Sequence, residues 1–553
     1  MSSILLLLIS IVVFIVAYAT YGSYLAKSWG IDPKRKTPAF ELEDGIDYVP
    51  ANKAVLLGHH FSSIAGAGPI NGPIQAAVFG WIPVFLWIVI GGIFFGAVQD
   101  FSALFASIRH KGKSLGEIIE VNISHRTKIC FTVFAWLVLI LVVAAFADIV
   151  AGTFAGYNAE GQTVATNGSV ATASTLFIPL AIAFGLFNRK SPNLVVNTIV
   201  GVALLIACIG IGIACPLYFS KLTWLVIVFV YIFIASVAPV WILLQPRDYL
   251  NSFLLYFMIA ASAIGIIFTN PTMQLTGFTG WTAPIGTLFP FLFVTVACGA
   301  ISGFHSLISS GTTSKQISNE ADAKAIGYGS MLVECILAVI ALIAVGSASM
   351  DTWTGMTPPQ IFAGGIASML AKIGFPEHTA STILMLAISA FALTSLDTAT
   401  RLGRFLFQEL FATRKDGTQN ILSNMYVATA VTIGAAALLT IAGYTKIWAL
   451  FGACNQLVAV PAFLAAACWL KRIGKKYSML YIPMFFMLIT SGSALVLKFI
   501  SNAKLLMAGE GVAIVEGLQC VLIVPILVLT VILAIDGFKV LFGKKTETAA
   551  EAA

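Results

Sequence analysis

Two adjacent histidines, His59 and His60, open the run Leu57-Gly58-His59-His60-Phe61-Ser62-Ser63-Ile64-Ala65-Gly66-Ala67-Gly68-Pro69-Ile70-Asn71-Gly72-Pro73, which is set in an otherwise apolar stretch. Three glycines and two prolines fall between Gly66 and Pro73. Each proline removes an amide donor and each glycine lowers helix preference, so the spacing predicts a helix that unwinds near Gly66 to Pro73. Unwound backbone at membrane depth is tolerated only where it is enclosed by protein or lines a cavity. There the freed amides and the positive end of the next half-helix suit an anion, and the freed carbonyls suit a cation. Gly66, Ala67, Gly68, Pro69 and Asn71 are therefore the expected contacts of a small polar solute.

A second polar set, Ser302, His305, Ser306, Ser309, Thr312 and Thr313, recurs at spacings of three and four and so shares one helix face. Histidine titrates near neutral pH, which makes His60 and His305 candidates for coupling proton flow to solute movement. Contact with the solute and a structural hydrogen bond are the alternatives for both. A shared metal ion on His59 and His60 is disfavoured, because adjacent residues point about 100 degrees apart on a helix. Ionisable groups within apolar spans are costly and usually face a cavity or a partner; Asp100, Asp148, Glu334 and Asp397 qualify. Glu334, near the middle of its span with no charged neighbour in sequence, is the expected proton carrier. Asp100 precedes Arg109 and His110 by about two turns and Asp397 precedes Arg401 by one, so each reads either as an ion pair near the interface or as a working group. Cys454-Asn455-Gln456 interrupts another apolar span and reads as hydrogen bonding between helices or as part of the site, and Gly92-x-x-x-Gly96 as a close helix contact.

The elements that position these groups are membrane helices. In 553 residues, 59% of side chains are hydrophobic and 10% are charged, a composition outside the soluble range. The expected fold class is an all-α polytopic membrane protein, with about fifteen spanning stretches between residues 4 and 541. If Met1 lies outside, 26 of the 31 lysines and arginines fall in inside loops, as the positive-inside rule requires; Arg247 is counted among them. This orients the N-terminus outside and the C-terminus in the cytoplasm. Met1 to Lys27 reads as an anchor helix rather than a signal peptide, since it has no basic n-region and a long apolar stretch. A second helix break is expected at Ser236-Val237-Ala238-Pro239, five spans after the first, which is the pattern of two inverted five-helix repeats with a site at their interface. Ser236 and Pro239 join the expected substrate contacts. The net charge of +7 lies in short clusters at span ends, which argues against nucleic acid, and the eight cysteines fall singly, with no metal or redox spacing. No P-loop, serine elbow or zinc-protease motif is present, so neither ATP-driven transport nor enzymatic hydrolysis has support.

The runs His59 to Ile70, Gln99-Asp100-Phe101 and Ile301-Ser302-Gly303-Phe304-His305-Ser306-Leu307 resemble the carbon starvation protein A family of peptide and pyruvate transporters. The resemblance extends from about Ala51 to the end and is densest at 51 to 110 and 297 to 320. It implies kinship with the amino acid, polyamine and cation carriers, and hence a leucine-transporter-like inverted-repeat core with broken first and sixth helices. The implied organisation is an anchor helix and cytoplasmic linker at 1–50, a ten-helix transporter core at 51–415, a four-helix region at 416–541 and a disordered cytoplasmic tail at 542–553. It also implies a coupling cation held between the carbonyls of Ala65 and Gly66 and the hydroxyls of Ser309, Ser310, Thr312 or Thr313. The function expected is secondary active import of pyruvate or short peptides across the inner membrane under carbon scarcity, coupled to protons or sodium and without a further cofactor. A membrane sensor and a channel are the other classes open at this point. The expected partners are the bilayer and a small carboxylate or peptide, and the oligomeric state is left open.

Overall fold

The computed structural model describes residues 2–45, 47–158, 160–188, 194–239, 243–411 and 420–543. The basic residues Arg189, Lys190, Arg414, Lys415, Lys544 and Lys545, and the tail beyond residue 543, lie outside the described residues. The chain is nearly all helical. Among the described residues, twelve helices are long and apolar enough to cross a membrane. Two shorter apolar helices, Lys221–Val237 and Met425–Thr440, and the divided stretch from Lys53 to Ala76 lie between them in the chain.

In chain order, α1 is Ser3–Trp29, α2 Lys53–Ile64, α3 Gly68–Ala76, α4 Trp81–Arg109 and α5 the short Leu115–Asn122. Helices α6 (His125–Phe154), α7 (Ala165–Asn188), α8 (Leu194–Ala214), α9 (Lys221–Val237) and α10 (Leu244–Thr269) follow. Then come α11 (Leu288–Val296), α12 (Phe304–Gly311), α13 (Ser330–Gly346), α14 (Pro358–Lys372) and α15 (Glu377–Leu410). The last four are α16 (Met425–Thr440), α17 (Tyr444–Arg472), α18 (Tyr481–Met507) and α19 (Leu518–Phe542). Polar caps start several of them: Ser114 and Glu117 form a capping box on α5, Ser124 caps α6 through the Thr127 amide, and Asn52 caps α2 through the Ala54 amide.

The first interruption is shorter than the glycine and proline count predicts. α2 stops at Ile64, Ala65 leaves helical geometry, and the Gly66 amide folds back on the Ile64 carbonyl at 2.8 Å. Helix resumes at Gly68, so only Ala65 to Ala67 is unwound. Pro69 falls in the first turn of α3, where amides have no intrahelical acceptor and a proline loses nothing. Pro73 lies inside α3 and removes a single bond, which the surrounding protein tolerates.

The second interruption lies elsewhere than expected. α9 ends at Val237 and α10 begins as a separate helix at Leu244, so Ser236 to Pro239 closes a helix instead of dividing one. Pro239 ends a helix equally well in either role, and the apolar sequence runs on past it to Leu244, which hid the boundary. The divided helix is the span from Leu288 to Gly311. α11 ends at Val296, Ala297 takes φ +43°, a tight turn runs to Gly299, and α12 starts only at Phe304.

The two interruptions pack against each other. A Cβ on Gly72 of α3 would stand 2.2 Å from the Val296 carbonyl oxygen, and one on Gly96 of α4 would stand 2.4 Å from the Ala300 carbonyl oxygen. Gly92, in the same wide helical turn, lies against Cys335 of α13, so the Gly92-x-x-x-Gly96 spacing serves close helix contact. Replacing Gly72 by Ala is therefore expected to destabilise the protein by about 1–3 kcal/mol through overpacking against backbone. Gly210→Ala in α8, where a Cβ meets nothing within 4 Å, should leave the melting temperature of the detergent-solubilised protein unchanged or raised. Equal melting temperatures for both variants would contradict the packing described.

Candidate functional site

The site is built where the interruptions meet α4, α13, α15 and α17. Its polar centre is a group of three buried side chains that the sequence places far apart. His305, the second residue of α12, donates from Nδ1 to Asp100 Oδ2 of α4 at 2.8 Å. Its Nε2 stands 3.5 Å from Glu334 Oε2 of α13. All three are fully enclosed. Close contact of the α4 glycines with Ala300 and Cys335 brings Asp100 and Glu334 to opposite edges of the same imidazole. Asp100 pairs here instead of with Arg109, whose guanidinium binds Glu320 at 2.6 Å and the Gly30 carbonyl at 2.8 Å. The group also has unused capacity: Asp100 Oδ1 and both Glu334 oxygens have no hydrogen-bond partner.

The expected face from Ser302 to Thr313 is divided by this geometry. Residues 304–311 are α-helical, and a separate 3-10 turn runs from Thr313 to Lys315. Ser309 is buried with its hydroxyl unpartnered. Ser310 accepts from the Leu115 amide at 3.2 Å and donates to the Ser306 carbonyl at 2.7 Å. Thr312 bonds back to the Ile308 carbonyl at 3.0 Å. Thr313 meets His60 Nδ1 at 2.8 Å, tying α2 to the turn after α12 and leaving His60 Nε2 buried and unpartnered. His59 points elsewhere and is only half-buried; its carbonyl accepts from the hydroxyls of Ser62 and Ser63.

Gly66 and Gly68 line an enclosed cavity together with Phe146, Cys298, Phe304, Ser395, Phe451 and Asn455. It has room for about one water molecule. A three-carbon acid or a peptide therefore enters only if the helices around it separate. Asn71 closes its side-chain amide on the Ala67 carbonyl at 2.7 Å, and Pro69 is buried in the first turn of α3. Ser236 and Pro239 are not among the residues lining this cavity. They lie at the C-terminal end of α9, where Arg401 donates to the carbonyls of Ala235 and Ala238 at 2.7 and 2.6 Å, a favourable place for a cation.

Asn455 of α17 was legible in sequence only as a polar break in an apolar run. Its side-chain oxygen accepts the Phe304 amide at 2.9 Å, its side-chain nitrogen donates to Ser302 at 3.0 Å, and its backbone carbonyl accepts the Gly303 amide at 3.1 Å. These bonds satisfy the backbone freed by the second interruption. Gln456 and Trp448 do the same for the carbonyls of Phe293 and Thr295 at 2.9 and 3.0 Å. Ser395 gave no signal beyond its place beside Asp397.

A second buried charged group holds α9, α10 and α15 together. Arg247, counted in sequence as a loop cation, is fully enclosed in the first turn of α10. It donates to Asp248 at 2.8 Å, to the Tyr231 hydroxyl at 2.6 Å, and to Asp397. Asp397 is thus neutralised by Arg247, and not by Arg401 one turn along its own helix. Thr394 and Asn251 complete the network. On the opposite flank, Asp148 binds Lys221 at 2.8 Å and accepts the first amide of α17, from Tyr444, at 2.9 Å.

Divided spanning helices that meet at an enclosed polar site are the architecture of membrane transporters. The model of the carbon starvation protein CstA family matches residues 2–361 and 352–494. The chain belongs to the carbon starvation protein CstA family. The peptide transporter CstA of Campylobacter jejuni is 36% identical to it, covering 86% of this chain and 77% of that one. The pyruvate/proton symporter BtsT of Escherichia coli is 33% identical over 91% and 82% of the two chains, and the peptide transporter CstA of the same organism is 34% identical over 83% and 75%. Among solved structures, a manganese transporter of Eremococcus coleocola aligns with 90% of this chain and 99% of its own, at 14% identity and a TM-score of 0.48.

Removing one member of the second charged group leaves an uncompensated charge inside the protein. Arg247→Met is expected to destabilise by about 3–5 kcal/mol, whereas Arg247→Met combined with Asp397→Asn should regain part of that loss, Asp248 still lacking its cation. Thermal melts of the two variants in detergent test this; a double variant no more stable than the single one would deny the pairing.

Proposed function

We propose that this chain is a proton-coupled secondary transporter that imports pyruvate or short peptides across the inner membrane, with its N-terminus outside and its C-terminus in the cytoplasm. The observation that carries the proposal is the enclosed Asp100–His305–Glu334 group directly beside a divided helix. Two carboxyls and one imidazole are neutral together only when they hold two titratable protons. Releasing one leaves a net negative charge in a site sealed from water, which is costly. Proton loading and helix movement are thereby linked: the group favours closure when loaded, and it discharges when the surrounding helices part toward the cytoplasm. The names of the relatives, a pyruvate/proton symporter and peptide transporters, support the same reading.

The solute's carboxylate would lie at Gly66 to Pro69, on the amides at the start of α3, with Asn71 and the Asn455 and Ser395 side chains nearby. His60, Ser309, Ser310 and Thr312 would relay between this site and the proton-holding group. The core reads as an inverted-repeat arrangement of the leucine-transporter kind.

Proteoliposomes given labelled pyruvate or a dipeptide under separate proton and sodium gradients test the proposal. Accumulation above equilibrium is expected with an inward proton gradient and not with sodium alone. Gly66→Leu, which places side chain where Ser395 Oγ lies 2.4 Å from the new Cβ, should abolish uptake while the protein remains in the membrane. Glu334→Gln should abolish gradient-driven accumulation but retain exchange of labelled for unlabelled solute at equal pH. Wild-type uptake by Gly66→Leu would refute the site, and wild-type accumulation by Glu334→Gln would refute the coupling role.

A further inference from the structure

One charged cleft takes no part in the site above. It lies between the end of α1 and the turn joining α17 to α18, has a volume of about 410 Å³, and is lined by Tyr24, Lys27, Ser28, Gly474, Lys475 and Lys476. The Lys475 ammonium rests over the backbone of Gly30, 2.8 Å from where a Cβ would be. The Lys476 ammonium sits 5.9 Å from the centre of the Tyr24 ring. Among the described residues, the ion pairs use none of the three lysines. The cations nearby are committed otherwise: Lys471 donates to the carbonyls of Val540, Leu541 and Gly543, and Arg109 binds Glu320. Among the described residues, three lysines thus line one cleft with no carboxylate within ion-pair distance.

Below the cleft the surface turns apolar. Phe94 of α4 packs on Tyr21 of α1, and its neighbour Phe95 packs on Phe486 of α18, so α4 floors a groove between α1 and α18. Phe94 is 45% exposed and Ile482, on the α18 side, is 74% exposed. Positive groups at one end of an outward-facing apolar groove match a molecule with an anionic head and hydrocarbon chains. Basic pockets between spanning helices at the cytoplasmic interface are suited to such headgroups.

We infer that this cleft and groove form a specific site for an anionic phospholipid of the surrounding leaflet, with its phosphate on Lys27, Lys475 and Lys476 and its chains along Phe94 and Ile482. Ser28 supplies a hydroxyl for the remaining phosphate oxygen, and Tyr24 closes the cleft at the depth where aromatic rings favour the interface. The lipid joins α1 to the α17–α18 turn, two parts of the chain far apart in sequence.

Native mass spectrometry of the purified full-length protein tests the inference with three probes: dioleoyl phosphatidylglycerol, phosphatidylcholine with the same chains, and inorganic phosphate. Phosphatidylglycerol should be retained at least about tenfold more tightly than phosphatidylcholine, and phosphate should not compete with it. The variant K27Q/K475Q/K476Q should bind phosphatidylglycerol roughly a hundredfold more weakly, while K27R/K475R/K476R keeps most of the affinity. The pair K34Q/K36Q, on the exposed linker after α1, should bind as the parent does. Equal retention of the two lipids, equal loss in the K34Q/K36Q pair, or full displacement by phosphate would each overturn the site.

Discussion

Everything in this structure follows from one constraint: inside a bilayer, each backbone amide and carbonyl released from a helix must find a partner in the protein. Two spans are divided, and each finds its own solution. At the first, the freed groups are taken up locally, the Gly66 amide by the Ile64 carbonyl and the Ala67 carbonyl by the Asn71 side chain; at the second, side chains from a neighbouring helix take them up. Asn455, Gln456 and Trp448 of α17 serve the second interruption, and Gly72 lets α3 approach the Val296 carbonyl within contact distance. This explains why α17, late in the chain, is the most enclosed of the spanning helices, with 94% of its apolar window buried. It is the matrix in which the divided helix is set.

The same constraint governs charge. Several enclosed ionisable side chains are gathered into groups in which each faces an opposite or titratable neighbour: Asp100 and Glu334 about His305, Asp248 and Asp397 about Arg247, Glu320 with Arg109, and Asp148 with Lys221. The groups differ in what they can do. Arg247 does not give up its proton, so its network is a fixed clasp between α9, α10 and α15. His305 and its carboxyls are titratable groups, and they lie beside the divided helix. A fixed charge and titratable ones are thus separated in space by the choice of cation.

Much of this was legible in the sequence, because the signals were compositional or periodic. The apolar runs and the glycine and proline cluster after His60 each carried their meaning locally. What escaped was relational. Asp100 has Arg109 nearer in sequence than His305, and Asp397 has Arg401 nearer than Arg247, so the ion-pair alternative offered for each named the wrong partner. Pro239 gave cause to expect a break and the Ser302 to Thr313 stretch read as one helix face, and only packing against α4 and α17 shows which helix is divided. Arg247 was indistinguishable from a loop cation, since its burial depends on a carboxylate 150 residues away.

That separation in sequence has a bearing on how the protein is made. Arg247 is synthesised 150 residues before Asp397. Its other partners come sooner: Tyr231 of α9 precedes it and Asp248 is the very next residue, and in the finished fold they bind the guanidinium at 2.6 and 2.8 Å. One arm of the clasp is thus local in the chain, and Asp397 closes it from a distance.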